Sequence, residues 1–347
     1  MRKRLRRLGT KSIFGLFVLF LVCGFVVESV YATRFWDRVV PVGLDNCHAI
    51  EGLVGAEDAI ATQSGPIILS LDPRQEQAGN GRLVLMKDAH SEPIVLWNGN
   101  DSPFHPHGLD YKVEQGKELL YVVNHLPDHD AVMVFQLQDN RLTLLSQLNY
   151  EGHGLNDVLA VEQGHFYVTV DHLPNPAWLN RIGDYLRLPL GAIDYFDGQR
   201  FVRQATGIAF ANGIAASPDG QRVYVASMLA GKVLVFDVDA QAGLHQRMEV
   251  SLPGKPDNLS WQGDNTLLVA LHPRILDLAK QEKWRDHKAP SRIVKLTFQT
   301  QADVHIEEIL ADDGQGIASS SVAIFSNGAL WVGSVFDNKV LVCDQPW

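Results

Sequence analysis

The sequence predicts an all-β chain folded as a six-bladed β-propeller, and three observations carry that expectation. The stretch from Gly207 to Phe236 sets a plan: a polar opener, Asn212, an apolar run, a Ser-Pro-Asp-Gly turn, then two strand-like runs, VYVAS and KVLVF. Pro presets φ at one turn position and Gly accepts the positive φ that other residues resist, so the stretch reads as three short antiparallel strands. The plan recurs from Glu57, His107, Asn156, Asp257 and Ser321, at spacings of roughly fifty residues, the period of propeller blades. The innermost strand of each blade runs along a central channel, so residues opening those strands face one another. Here the openers are Glu57-Asp58, His107-Gly108, Asn156-Asp157, Asn212, Asp257-Asn258 and Ser320-Ser321, a set rich in carboxylates and carboxamides.

At 347 residues, 46% hydrophobic and 20% charged, the chain has the composition and length of one large all-β domain, which we place at residues 33–347. Ahead of it, Arg2, Lys3, Arg4, Arg6, Arg7 and Lys11 precede an uncharged apolar run from Ser12 to Val27, which Glu28 ends. A basic start followed by an apolar core marks an exported chain. Residues 1–32 read either as a signal peptide, cut near Val30-Tyr31-Ala32, or as a short anchor that would associate the protein with a membrane. The protein is extracytoplasmic under both readings. Beyond residue 32 the chain carries 24 basic and 39 acidic residues, a formal −15. That balance argues against nucleic acid as a partner, since binding it draws on Lys and Arg. It fits either simple solubility or a protein that holds a hard cation.

Of the three cysteines, Cys23 lies in the apolar run, while Cys47 and Cys343 stand at the two ends of the exported body. A propeller must join its last blade to its first near those ends. The two are either a disulfide that clasps the ring or two unrelated buried thiols.

Glu57 and Asp58 open the first unit. Neighbours on a regular strand point to opposite faces, so the two would share one ion only on an irregular strand. Two ions stacked along the channel would remove the difficulty, and Asn156-Asp157 repeats the pair. The stretch QEQAGNG, with Pro103 and Pro106 after it, reads as a surface hairpin loop or as a flap over a site. Strands then end in Asn124-His125, in Asp171-His172 and in His272. With His107 at an opener, they predict a line of imidazoles near the ring. Residues 173–200 form an insertion with helical spacing from Trp178 to Leu188, which would cap the channel mouth, rest on a membrane or simply pack.

Openers that are mostly oxygen donors, without cysteine, favour Ca²⁺, which tolerates six to eight irregular ligands, over Mg²⁺ and Zn²⁺. Asn and Asp also cap turns, but that habit leaves Glu57 and the recurrence at one repeat position unexplained.

The motifs GLVGAEDAIA, PHGLDY, YVVNH, LNDVLAVEQGHFYVTVDH, FANGIAASPDGQRVYVA, DNLSW, ALHP and GSVFDNKVLVCD resemble those of the paraoxonase/arylesterase calcium hydrolases. They follow that family's order from Cys47 to Cys343. The resemblance implies a six-bladed propeller with a central calcium-binding channel that holds two ions. It puts Glu57, Asn156, Asn212, Asp257 and Asn258 on the catalytic ion, and Asp58, Asp157 and the carbonyl of Leu109 on a structural one. It further implies a Cys47–Cys343 disulfide, a catalytic dyad of His107 and His125 with Asp171, His172 and His272 nearby in the pocket, and hydrolysis of lactones and aryl esters. Where the family carries a Lys-Tyr flap, this chain has QSGPIILSLDPR, and its insertion differs, so the family's substrate preference does not transfer.

The residues suit that chemistry. A calcium ion acidifies water weakly and serves best to polarise a carbonyl, which leaves proton removal to a base such as neutral His107. No G-x-S-x-G elbow occurs in the chain, which counts against a serine esterase. Two alternatives are a metal-free propeller of the strictosidine-synthase type and a non-enzymatic ligand-binding propeller. The first would lack the Asn/Asp ring, and the second would have no use for His107 beside it.

Overall fold

The computed structural model describes residues 30–74, 79–100, 102–299 and 303–344, with isolated positions 14, 15, 20, 24, 27 and 28 ahead of them. The basic start, most of the apolar run of residues 1–32 and the loop tip 75–78 lie outside the described residues. Among the described residues, no helix is long and apolar enough to cross a membrane.

Among the described residues, the strands form six four-stranded antiparallel sheets arranged as the blades of a propeller. Five blades are consecutive in the chain. The sixth joins Ser320–Ser326, Ala329–Ser334 and Lys339–Cys343 to the amino-terminal strand Cys47–Glu51, which pairs with the last strand and closes the ring. Cys47 lies opposite Cys343 in that pairing, and a disulfide joins them with Cα atoms 4.0 Å apart. The crosslink spans 296 positions, a closure worth about 5 kcal/mol in the chain-entropy model. The segment IILSL, within QSGPIILSLDPR, is the wholly buried second strand of the first blade, Ile67–Leu71.

Six apolar clusters fill the six seams between neighbouring blades. One joins Leu69 and Val84 of the first blade to Val322 and Trp331 of the last, and another joins Tyr121 to Phe166 across the second and third blades. The core is therefore a ring of seams, which frees the axis for polar groups. This is why the inner strands of the first, third and fourth blades are buried along nearly their whole length although their openers are polar.

The inner strands are Ala56–Ala61, Pro106–Glu114, Leu155–Ala160, Ala211–Ala216, Lys255–Gln262 and Ser320–Ser326. Each carries a β-bulge in its first half, where its openers sit. A bulge breaks the strict alternation of side chains, so the strands are irregular where adjacent polar residues need it. Close approach explains two glycines: a Cβ on Gly108 would lie 2.2 Å from Asp157 Oδ1, and one on Gly213 would lie 2.6 Å from the carbonyl oxygen of Asp257.

Two helices stand over one end of the channel. Ala177–Leu186 lies inside the expected insertion. The second helix, Ile275–Lys283, follows His272-Pro273 and was not expected from sequence.

Candidate active site

The channel holds its polar openers at two levels. A cavity of ≈ 640 Å³ at the helix end is lined by Glu57, Asn156, Asn212, Asp257, His107 and His272, among others, and also reaches His125 and Asp171. A second cavity of ≈ 300 Å³ is lined by Asp58, Leu109 and Asp157. Adjacent residues thus part company, with Glu57 and Asn156 in the upper cavity and Asp58 and Asp157 in the lower one.

In the upper level, Glu57 Oε1 lies 3.2 Å from His107 Nε2, 3.3 Å from Asn258 Nδ2 and 3.9 Å from an Arg74 nitrogen. Burial opposes the charge of Glu57, but His107, Arg74 and Asn258 outweigh it and hold the carboxyl down to about 2. The Asn258 amide also donates to the Glu57 carbonyl at 3.1 Å, and the Asn212 amide points at Met228 Sδ. Both carboxamides are therefore turned so that oxygen faces the channel. Glu57 Oε2, Asn156 Oδ1, Asn212 Oδ1 and Asn258 Oδ1 are buried without a hydrogen-bond partner. Such atoms are rare, because a buried acceptor that loses water and gains nothing costs about 1–3 kcal/mol. Asp257, raised by burial more than His272 lowers it, accepts from His272 Nε2 at 2.7 Å.

In the lower level, the carboxylate oxygens are taken up by the backbone. Asp58 accepts the N–H groups of Ala59 and Leu109, each at 2.8 Å, and Asp157 accepts those of Val158 at 2.7 Å and Ile214 at 2.8 Å. Leu109 meets Asp58 through its amide hydrogen. Burial pushes both carboxyls well above the ordinary range, and the charges of Asp157 and Glu57 add to the rise at Asp58.

The histidines form a relay that runs outward from the upper level. His107 Nδ1 lies 2.7 Å from His125 Nε2, and His125 Nδ1 lies 2.8 Å from Asp130 Oδ1. Asp130 is fully buried, and its other oxygen accepts the N–H groups of Gly154 and Leu155. Burial disfavours its charge, but His125 and these N–H bonds outweigh burial and lower the carboxyl from its ordinary value. An ionised Asp130 only accepts, so His125 donates from Nδ1 and accepts at Nε2. His107 must then donate from Nδ1, which leaves Nε2 as the nitrogen that faces Glu57 Oε1 and the channel.

His172 stands apart. It bonds Asp171 at 3.1 Å and Asp184 of the first helix at 2.7 Å, and the two carboxylates overcome burial and push its imidazole up to about 10. It lines a neighbouring cavity shared with His125 and Asp171. Sequence reasoning missed Asp130, Arg74 and Asp184. Only Asp130 left a signal, since it follows His125 across a short hairpin in which the two are cross-strand partners.

The Arylesterase family model matches residues 45–345. Human serum paraoxonase/arylesterase 1 is 30% identical over 342 residues, covering 91% of this chain and 94% of that protein. The mouse protein of the same name is 31% identical over 344 residues with the same coverage, and bovine serum paraoxonase/arylesterase 2 is 28% identical over 329 residues, covering 88% of this chain and 91% of its own length. Among solved structures, a luciferin-regenerating enzyme superposes with a TM-score of 0.55 at 14% identity, covering 87% of this chain and 95% of its own. The calcium-binding protein regucalcin from Agrobacterium tumefaciens superposes at 0.53 and 14% identity, with 88% and 93% covered. At such identity these two bear on the fold alone. The extent of the family match and the identity to the serum enzymes show that this chain belongs to the arylesterase family and is an ester hydrolase.

Proposed function

We propose that the protein is a calcium-dependent hydrolase of lactones and aryl esters in which His107 takes a proton from the attacking water. The observation that carries this reading is the set of four buried, unpartnered oxygens at Glu57, Asn156, Asn212 and Asn258. They are hard donors of the kind that Ca²⁺ prefers. Glu57, Asp58, Asp157 and Asp257 are buried, and their four formal negative charges would balance two divalent ions. When bound among Glu57, Asn156, Asn212, Asp257 and Asn258, calcium would supply a Lewis acid that polarises an ester carbonyl. Asp58, Asp157 and the carbonyl of Leu109 would hold the second ion.

The chain does the rest. His107 Nε2, the nitrogen that the bonds to His125 and Asp130 leave facing the channel, is the base, and its lone pair would be available once a cation takes up the charge of Glu57. Asp130 fixes the tautomer of His125 and through it the proton on His107 Nδ1. Phe210, Met228 and Phe336 give the cavity an apolar wall, suited to an acyl or aryl group. The disulfide and the basic, apolar amino terminus support export, since disulfides persist in oxidising compartments, and the terminus is either cut or kept as an anchor.

The test is turnover of phenyl acetate and of a simple lactone by the purified full chain, stripped with chelator and then titrated with calcium. Activity should vanish on stripping and return as about two ions bind per chain. Full activity in metal-free protein would overturn the calcium dependence.

A further inference from the structure

A further chamber of ≈ 490 Å³ opens between the two helices and the start of the propeller domain. It shares Asp184, Leu229, Ile275, Ala279 and Glu282 with the catalytic cavity, so the two are contiguous. Lys255 lines its wall with only 6% of its surface exposed. Its ammonium donates to the carbonyl of Leu229 at 2.8 Å, and among the described residues no carboxylate pairs with it. An ammonium has three hydrogens to give, and a buried charge without a counter-ion is costly.

The surroundings do not supply that counter-ion. The charges of Arg187 and Arg34 oppose Lys255, and Glu28, which favours it, is already bonded to Arg187. Arg34 is paired with Asp37. Asp184 also lines the chamber but binds His172, and Glu282 sits at the exposed rim. A buried cation thus faces a chamber that a substrate can enter from the catalytic site. Lys255 and the ring residue Asp257 are two positions apart on one strand, a separation of ~7 Å.

We propose that this chamber binds an anionic group, so that the enzyme prefers esters and lactones whose acyl chain ends in a carboxylate a few carbons from the scissile carbonyl. The inference rests on the hydrolase reading for its substrate, but the anion site stands on its own geometry. The carboxylate would take the free hydrogens of Lys255 as charge-assisted bonds, which are among the stronger ones in proteins. A neutral chain of the same length would leave the ammonium unpaired.

The experiment compares phenyl hydrogen glutarate with phenyl valerate, which differ by a terminal carboxylate in place of a methyl. The full-length wild type should favour the glutarate half-ester by ~10-fold in kcat/KM, mostly through KM. Lys255→Met, which keeps the length of the side chain and removes its charge, should collapse that ratio. A wild type that favours the valerate, or a variant that keeps the full preference, overturns the proposal. Thermal shift with free glutarate gives a readout without turnover: it should raise the Tm of wild type and leave Lys255→Met unmoved. If neither ester is hydrolysed but glutarate still discriminates the two proteins, the hydrolase reading fails and the anion site stands. Glutarate acting alike on both, or on neither, overturns the site.

Discussion

The two levels of the channel are both built from the inner strands, mostly from adjacent openers, yet they differ in what their oxygens do. At the lower level, Asp58 of the first blade accepts from Leu109 of the second, Asp110 of the second accepts from Ala160 of the third, and Asp157 of the third accepts from Ile214 of the fourth. Each of these carboxylates stitches its blade to the next. At the upper level, four oxygens are aimed inward and bonded to nothing. The contrast separates carboxylates that already tie blade to blade, and would hold the second ion only in addition, from oxygens left wholly free for a ligand. A bulge in each inner strand makes the division possible, because it lets one sequence pair serve both levels.

The largest effect should come from the lower level. Asp157→Ala orphans the N–H groups of Val158 and Ile214 in a buried place, at about 1–3 kcal/mol each. Thermal unfolding should therefore show a marked loss of stability, and any activity loss should follow the unfolded fraction. A variant that melts like wild type but lacks activity would move Asp157 into the catalytic level and break the comparison.

His107→Gln should do the reverse. It removes the base while leaving the upper oxygens in place, so kcat on a lactone should fall ~10²-fold or more, with calcium content and Tm near wild type. Undiminished turnover of both lactone and aryl ester would remove His107 from the mechanism.

Asp130→Asn sharpens the comparison further, because Asp130 touches neither level directly. An amide that presents its NH₂ to His125 would reverse the ring's preferred proton arrangement, and one that presents its oxygen would lose the charge that holds it. We expect a ~10-fold fall in kcat with KM little changed and an altered pH profile. A change in KM alone would mean that Asp130 only shapes the pocket.

How much of this was legible in the sequence follows from what kind of contact each residue makes. The ring residues were legible because a repeat brings equivalent positions to one axis, so Glu57, Asn156, Asn212 and Asp257 declare themselves by type and place. The clasp was half legible: the placing of Cys47 and Cys343 suggested a bond, but the two became direct partners only through the pairing of the first and last strands. Asp130, Arg74 and Lys255 were not legible. Their roles depend on hairpin register, or on segments far apart in the chain that meet at the channel mouth. The helix Ile275–Lys283 was missed because it is short and carries only a weak apolar stripe, so tertiary packing rather than local periodicity decides it.

The smallest effect concerns the rim, where His172 ties the first helix to the third blade through Asp171 and Asp184. Its imidazole is raised to about 10 in the folded protein, against an ordinary value near ~6.5 unfolded. A group raised on folding binds its proton more tightly in the native state. Its contribution is therefore complete below pH ~6.5 and fades as the pH climbs through about 10. Asp171 and Asp184 are partly exposed, so solvent screens the pair and only about 1 kcal/mol is expected, or ~2 °C in Tm. The Tm difference between wild type and His172→Gln should be constant at mildly acid pH and shrink steadily from neutrality towards pH 10. A difference that instead grows with pH would mean that His172 is held neutral, and that the helix is anchored by packing rather than by this ion pair.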